Sequence, residues 1–213
     1  MGNFGSIQTA IIGRTGVSGD AYTDDIKRAI NWAQREICTV AWQFLYTTGT
    51  IAVSAAGGTT YTLPTGFNRL YKVFIDNSGT PKELIKGTPE DIDLNPPSSS
   101  GMPLYYSVSS QVTSSKKIMI GCPTADDDYT VTIGYYQFLS DLVSDSTTSQ
   151  VSSAYKDSPL ITGGTYKFLL DLEQTEASQI ALAEFMRDMS VMESVVPHYG
   201  PGYSAMIQQE SKD

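Results

Sequence analysis

Between Thr23 and Leu45 the apolar residues Ile26, Ile30, Ala33, Ile37, Val40 and Phe44 recur in alternating steps of four and three. That spacing puts them on one face of an α-helix. Asp24 and Asp25 fall in the expected first turn, where the helix dipole favours negative charge. Thr23 is placed to cap N–H groups that have no partner inside the helix. Trp32 and Trp42, the two tryptophans of the chain, both lie within this stretch. Directly after Leu45 the period becomes strand-like. A long helix is therefore laid down first, and the strands that follow must pack on it or beside it.

Thr48 to Val53 reads as a strand with Tyr61 to Leu63 as its partner, joined by a turn at Ala55-Ala56-Gly57-Gly58. Leu70 to Ile75, rich in β-branched and aromatic residues, is the clearest central strand, and Lys82 to Ile85 is a short return. Thr88-Pro89-Glu90-Asp91 has the composition of a helix start: a capping threonine, proline at the first position and acids in the first turn. Asn95 to Pro103 is a Pro/Ser/Gly loop. Tyr105–Ser109 and Lys117–Gly121 form a hairpin with Lys116-Lys117 at its tip. Tyr129 to Tyr136 is the last long strand, with Val131, Ile133 and Tyr135 on one face by period two. Residues 144–157 are serine-rich and read as a mobile or extended loop. From Ser158-Pro159 onward, Leu169, Leu172, Ile180, Ala183, Met186 and Met189 keep helical spacing. They predict helices at about 159–173 and 175–194, or one long kinked helix. Residues 2–20 carry five glycines and read as an extended arm with little helix potential.

The resulting expectation is an α+β fold. A helical core, made of the long N-terminal helix (about 23–45) and the C-terminal helices (about 159–194), carries an inserted antiparallel β-region at about 48–140. An extended N-terminal arm precedes it and a C-terminal tail follows. Residues 1–196 form one domain in this reading, and residues 197–213 an extension.

The net charge of −9, from 23 acidic and 14 basic residues, argues against a protein that grips nucleic acid by its phosphates. It leaves room for a surface along which DNA slides. Cys38 and Cys122 are too few for a disulfide framework and read as buried free thiols. His198 is the only histidine and no C-x-x-C occurs, which removes the usual zinc donor sets. No G-x-S-x-G elbow supports a serine hydrolase. The glycine-rich Gly13–Asp20 segment lacks the Gly-Lys-Ser/Thr ending of a phosphate loop. Asp126-Asp127-Asp128 lacks the glycine and distal glutamate of a calcium loop and reads as a solvated turn. No catalytic, cofactor-binding or metal-binding residue emerges, and no enzyme is expected. The N-terminus shows no secretion signal, Met1-Gly2 with Ser6 fits a myristoylation pattern only superficially, and no apolar run approaches the ~20 residues that span a bilayer. Met186, Met189 and Met192 suit either core packing or an adaptable subunit contact. The tail is too polar for a core, yet it carries Tyr199, Tyr203, Met206 and Ile207. Those four are the candidate partner-binding residues, in a segment that orders against another subunit.

Several pieces taken in order resemble the head-to-tail adaptor (connector) proteins of tailed bacteriophages. They are Ala33-Gln34-Arg35-Glu36 with Trp42-Gln43-Phe44-Leu45, Tyr61-Thr62-Leu63-Pro64 with Phe67-Asn68-Arg69-Leu70-Tyr71-Lys72-Val73, and Ile118-Met119-Ile120-Gly121-Cys122-Pro123 leading into the Tyr129–Tyr136 strand. Ser158-Pro159-Leu160-Ile161-Thr162-Gly163-Gly164 resembles the segment that opens the family's last helices, except that Gly164 stands where a small helix-former is more usual. The resemblance covers residues 22–194. It implies a structural virion protein at the capsid vertex: a homo-oligomeric ring, commonly a dodecamer, fitted under the portal protein. Such a ring would extend the DNA channel and present a surface to the tail or nozzle protein, and genomic DNA would pass without specific binding during ejection. The helices would form the ring body and the tail would dock on the portal. The alternative is another tail component, a tail-tube or tail-completion protein, which would put strands around the lumen.

Overall fold

The computed structural model describes residues 2–17, 19–55, 58–77, 80–93, 101–109, 116–121 and 125–199. In chain order the elements are α1 (Phe4–Thr15), α2 (Thr23–Ile37), β1 (Ala41–Trp42), β2 (Tyr46–Val53), β3 (Thr60–Thr62), β4 (Phe67–Asn77), β5 (Thr80–Glu83), β6 (Ile85–Lys86), α3 (Pro89–Asp93), β7 (Tyr105–Ser109), β8 (Lys117–Gly121), β9 (Tyr129–Gln137), α4 (Gln150–Ala154), α5 (Ser158–Asp171), α6 (Thr175–Val195) and β10 (His198–Tyr199). The fold is mixed helix and sheet. It separates into two compact units, one of Met1–Leu45 with Phe138–Asp213 and one of Tyr46–Gln137.

In the helical unit α5 is the hub, packing against α1, α2 and α6. Its neighbours present Ile7 and Ile11 from α1, Ile26, Ile30, Ala33 and Ile37 from α2, and Phe185, Met189 and Met192 from α6, all buried. Gly163 and Gly164 make the approach possible. A Cβ on Gly163 would stand 2.9 Å from both Ala33 Cβ and Phe185 Cε2, and one on Gly164 2.8 Å from Ile11 Cδ1. Gly164, the departure from the family pattern, is thus where both α1 and α2 approach α5, through Ile11 and Ile30.

Five expectations for this unit are corrected. Residues 2–20 are not an extended arm: Phe4–Thr15 is a helix, because Phe4, Ile7 and Ile11 lie one turn apart and bury together. Asn3 caps it by accepting from Ser6 N, and Gly16, at φ +68°, closes it in the left-handed conformation. The helix that begins at Thr23 stops at Ile37, eight residues short of Leu45. A short 3₁₀ turn at Asp20–Tyr22 leads into it, so Thr23 is already helical and does not cap. Trp42 lies past its end, with the indole N–H donating to the carbonyl of Ile37 at 2.8 Å, which satisfies one of the acceptors a helix end leaves open. The polar stretch 144–157 is not a free loop. Gln34, 1% exposed, donates to Ser140 O and accepts from Ser149 Oγ, Asn31 bonds Leu142 through both ends of its amide, and Phe4 N donates to Thr147 O. Residues 150–154 then form α4, with Val151 fully buried. The last two helices fall within a residue or two of expectation, but α6 turns a different face inward. Ala181, Phe185, Met189 and Met192 are buried, whereas Ile180 is 62% exposed and Ala183 is exposed. Met189 and Met192 are core residues.

The β-unit holds two four-stranded sheets, ordered β2-β9-β4-β5 and β3-β8-β7-β6. All pairs are antiparallel except β6 with β7, which run parallel. Ile51, Val53, Val73, Ile75, Val131, Ile133 and Tyr135 from the first sheet and Ile118 and Ile120 from the second share one buried core. The β4 strand is interior, as expected, and β9 shows Val131, Ile133 and Tyr135 to the core. The β7–β8 hairpin forms as read, with its turn outside the described residues. The partner of β2 is β9 and not residues 61–63, which pair with β8 instead. The expected helix start at Thr88 is present: Thr88 Oγ1 accepts from Asp91 N and the Asp91 carboxylate accepts from Thr88 N, each covering the other's open donor.

Adding an isopropyl side chain at Gly163 would force α2 and α6 off α5. Gly163→Val is expected to destabilise the protein by about 1–3 kcal/mol, read as a lower urea midpoint at unchanged m-value.

Candidate interaction surfaces

The start of the tail is built into the helical unit. His198 and Tyr199 pair antiparallel with Trp42 and Ala41 as β10 on β1, and Gln43 N donates to Pro197 O. The His198 ring meets the buried Trp42 edge-on at 5.4 Å. Tyr199, one of the four candidate partner residues, is 49% exposed at the end of this ribbon. Tyr203, Met206 and Ile207 lie outside the described residues. The only histidine of the chain therefore packs on an indole.

A second surface runs along α6. Ile180, Val191 and Val195 are 62%, 46% and 62% exposed. At 100° per residue they fall within roughly 60° of one another, giving a stripe that points away from α5. Glu184, paired with Arg14, and Arg187 lie on the same side. The buried side of α6 is pinned by chemistry that composition did not reveal: Asp188 accepts from Ser158 Oγ at 2.5 Å and from Thr162 Oγ1 at 3.1 Å. The carboxylate so placed lies beside the first turn of α5, where unpaired N–H groups favour negative charge.

The third surface belongs to the β-unit. Tyr46, Tyr71 and Tyr136 stack edge to face with centroids 5.8–6.0 Å apart, and Lys72 stands over the Tyr71 ring. Tyr46 and Tyr71 are both more than 40% exposed. Gly134 makes the cluster possible, because a Cβ there would come within 2.6 Å of the Tyr46 hydroxyl. The Gly134 side of β9 was legible as a small-residue face; its aromatic cover comes from two other strands.

The reactive groups weighed from sequence sit in local roles. Asp126, Asp127 and Asp128 are exposed at a bend, and Tyr129 Oη donates to Asp126 at 2.6 Å. That bond holds the phenol protonated and pushes it up to about 12. Among the described residues no group of three His, Cys, Asp or Glu side chains could hold a metal, and no helix is long and apolar enough to cross a membrane. Cys38 is fully buried, and burial pushes its thiol up to about 11, with a backbone hydrogen bond from Leu139 pulling partway back. Cys122 lies outside the described residues.

The family model described as "SU10 adaptor protein" matches residues 3–203. The match takes in α1 and the β10 ribbon, both beyond the stretch in which the resemblance was read. No curated protein matches the chain.

A thiol raised to about 11 is about 0.1% thiolate at pH 8, against roughly a quarter for an unperturbed cysteine. With Cys122 changed to Ser, Cys38 is expected to react with a disulfide reagent at pH 8 at least a hundredfold more slowly in the native protein than in urea, followed by absorbance of the released thiolate.

Proposed function

Because this chain belongs to the SU10 adaptor protein family of phage head-to-tail adaptors, we propose that it assembles into a ring between the portal and the tail and extends the DNA channel. The family gives a structural role in the virion and partners at the head–tail junction. The ring, its subunit number and the parts of this chain that make each contact are our reading. The observation that carries it is the length of the match, which runs through both units from residue 3 to residue 203.

Exposed side chains, tail composition and net charge each support one part of this reading. A ring needs two unlike faces on every subunit, because head-to-tail packing is heterologous. The Ile180–Val191–Val195 stripe is exposed, carries apolar side chains with Glu184 and Arg187 between them, and lies on a helix held by Asp188, which suits a contact with the neighbouring copy. The tail beyond β10 supplies Tyr203, Met206 and Ile207 for the portal, with Tyr199 at its root. The net charge of −9 suits a channel wall that repels phosphates and lets DNA pass; a lumen lined mainly by Lys and Arg would sink that part.

Two experiments test the reading. Removing residues 200–213 spares β10 and its contact with Trp42, so circular dichroism and melting are expected to stay unchanged while binding to purified portal rings falls at least tenfold. Binding that survives the truncation refutes tail docking. The double change Ile180→Asp with Val191→Asp is expected to leave a folded monomer on size exclusion where the natural chain runs as a ring; a ring that persists refutes the α6 contact.

A further inference from the structure

Among the described residues the two sheets of the β-unit end in the edge strands β2, β5, β3 and β6. Three of these offer little to a further strand. β3 has three residues and β6 two. β5 reads Thr80-Pro81-Lys82-Glu83, and just past it Leu84 N donates across to Val73 O in β4. Alternation along the strand therefore turns the Pro81 nitrogen to the open side, where it has no hydrogen to give. Proline and charge at an edge defend it against unwanted pairing.

The remaining edge, β2, has no such defence. Tyr46-Thr47-Thr48-Gly49-Thr50-Ile51-Ala52-Val53 contains no charged residue and no proline. All eight residues pair with β9 in unbroken register, without a bulge. Among the described residues no strand lies on its other side. Every second residue thus aims an N–H and a C=O outward, in a row that the backbone of another extended strand matches in full. The side chains add a preference. Gly49, Ile51 and Val53 face the core: a Cβ on Gly49 would stand 3.2 Å from Pro64 Cγ, and Ile51 and Val53 are buried. Tyr46, Thr48, Thr50 and Ala52 are exposed on the opposite face. The strand that fits is uncharged and free of proline, with apolar residues toward the core and β-branched residues beside the threonines.

We propose that β2 is the docking edge for the phage tail: an extended, uncharged segment of the tail-side partner adds to it as a further strand of the first sheet. The assignment rests on the adaptor reading, in which the chain meets both portal and tail proteins. The contacts proposed above for the portal and for the neighbouring copy, the segment beyond β10 and the α6 stripe, both belong to the helical unit. The tail partner's contact falls to the β-unit, where β2 is the long, undefended edge among the described residues. Strand addition would draw its affinity from backbone hydrogen bonds, and its choice of partner from the exposed threonines and the Tyr46 ring.

Residue-resolved amide exchange over residues 46–53 compares the free chain, its complex with purified portal rings, and tailed particles. The alternate amides that turn away from β9 are expected to exchange fast in the first two and at least about tenfold more slowly in the particles. Protection already complete in the portal complex gives the edge to the portal or to a neighbouring copy and overturns the proposal; unchanged exchange in the particles overturns it too. A chain missing from the particles sinks the adaptor reading, and tail docking with it. The double change Thr48→Lys with Thr50→Lys charges the exposed side of β2. It is expected to bind portal rings as the natural chain does, while tail attachment falls at least about tenfold. Thr130→Lys puts the same charge on the same face from β9, opposite Ala52, and is expected to leave attachment unchanged. Normal attachment in the double variant, or equal loss in Thr130→Lys, overturns edge pairing. Folding is checked by circular dichroism, and if the double variant fails to fold, the exchange comparison decides alone.

Discussion

Two missing side chains hold the helical unit together. At Gly163 and Gly164 the backbone of α5 lies so close to α1, α2 and α6 that even a methyl group would stand under 3 Å from a neighbour. Glycine inside a helix costs about 1 kcal/mol against alanine, so the pair persists through what it permits. Three helices reach a common axis there, and their large residues, Ile11, Ile30 and Phe185, fill the space a bulkier α5 would occupy. Everything else in the unit is arranged around this approach. The Asp188 bonds to Ser158 and Thr162 fix the rotation of α6 against α5, and the amides of Asn31 and Gln34 fasten the 138–149 segment along α2.

The β-unit uses a different principle. Its two sheets share one apolar core, and β9 sits inside the first sheet with partners on both sides. Period two sorts its residues without ambiguity: Val131, Ile133 and Tyr135 go inward, and Thr132, Gly134 and Tyr136 turn to the tyrosine cluster. That division was plain in the sequence because alternation along one strand is local information. So were the Thr88–Asp91 capping pair, the β7–β8 hairpin and the two C-terminal helices, each specified by neighbours a few residues apart.

What escaped the sequence was set by distant residues. The glycines of the first twenty residues outweighed the spacing of Phe4, Ile7 and Ile11, yet Gly5 is where α1 presses against Asp145 and Gly16 is its left-handed cap. The periodic run after Ile37 continued through Val40 and Phe44 although the chain had left the helix, because an irregular path buries Val40 and half-buries Phe44. Ile180 and Ala183 matched helical spacing but face outward; a helix of 21 residues with apolar side chains on several faces offers more than one phase, and only Asp188 and Gly163 select the true one. Strand partners are also non-local, which is why residues 60–62 went to β8 and not to β2. Of the candidate partner residues the sequence named a segment, and the structure adds that the segment leaves from a fixed ribbon at Tyr199.

The way the chain crosses into and out of its sheets has a further meaning. The β-unit begins at Tyr46 and ends at Gln137, and Tyr46 lies directly opposite Tyr136 in the β2–β9 pair. Its two ends are therefore neighbours, about 5 Å apart as antiparallel partners are. An insert whose ends meet can be exchanged for another with the same gap without lengthening or rerouting the host, as tolerated domain insertions show. The sheets can thus be exchanged as one unit without rerouting the chain of the helical unit.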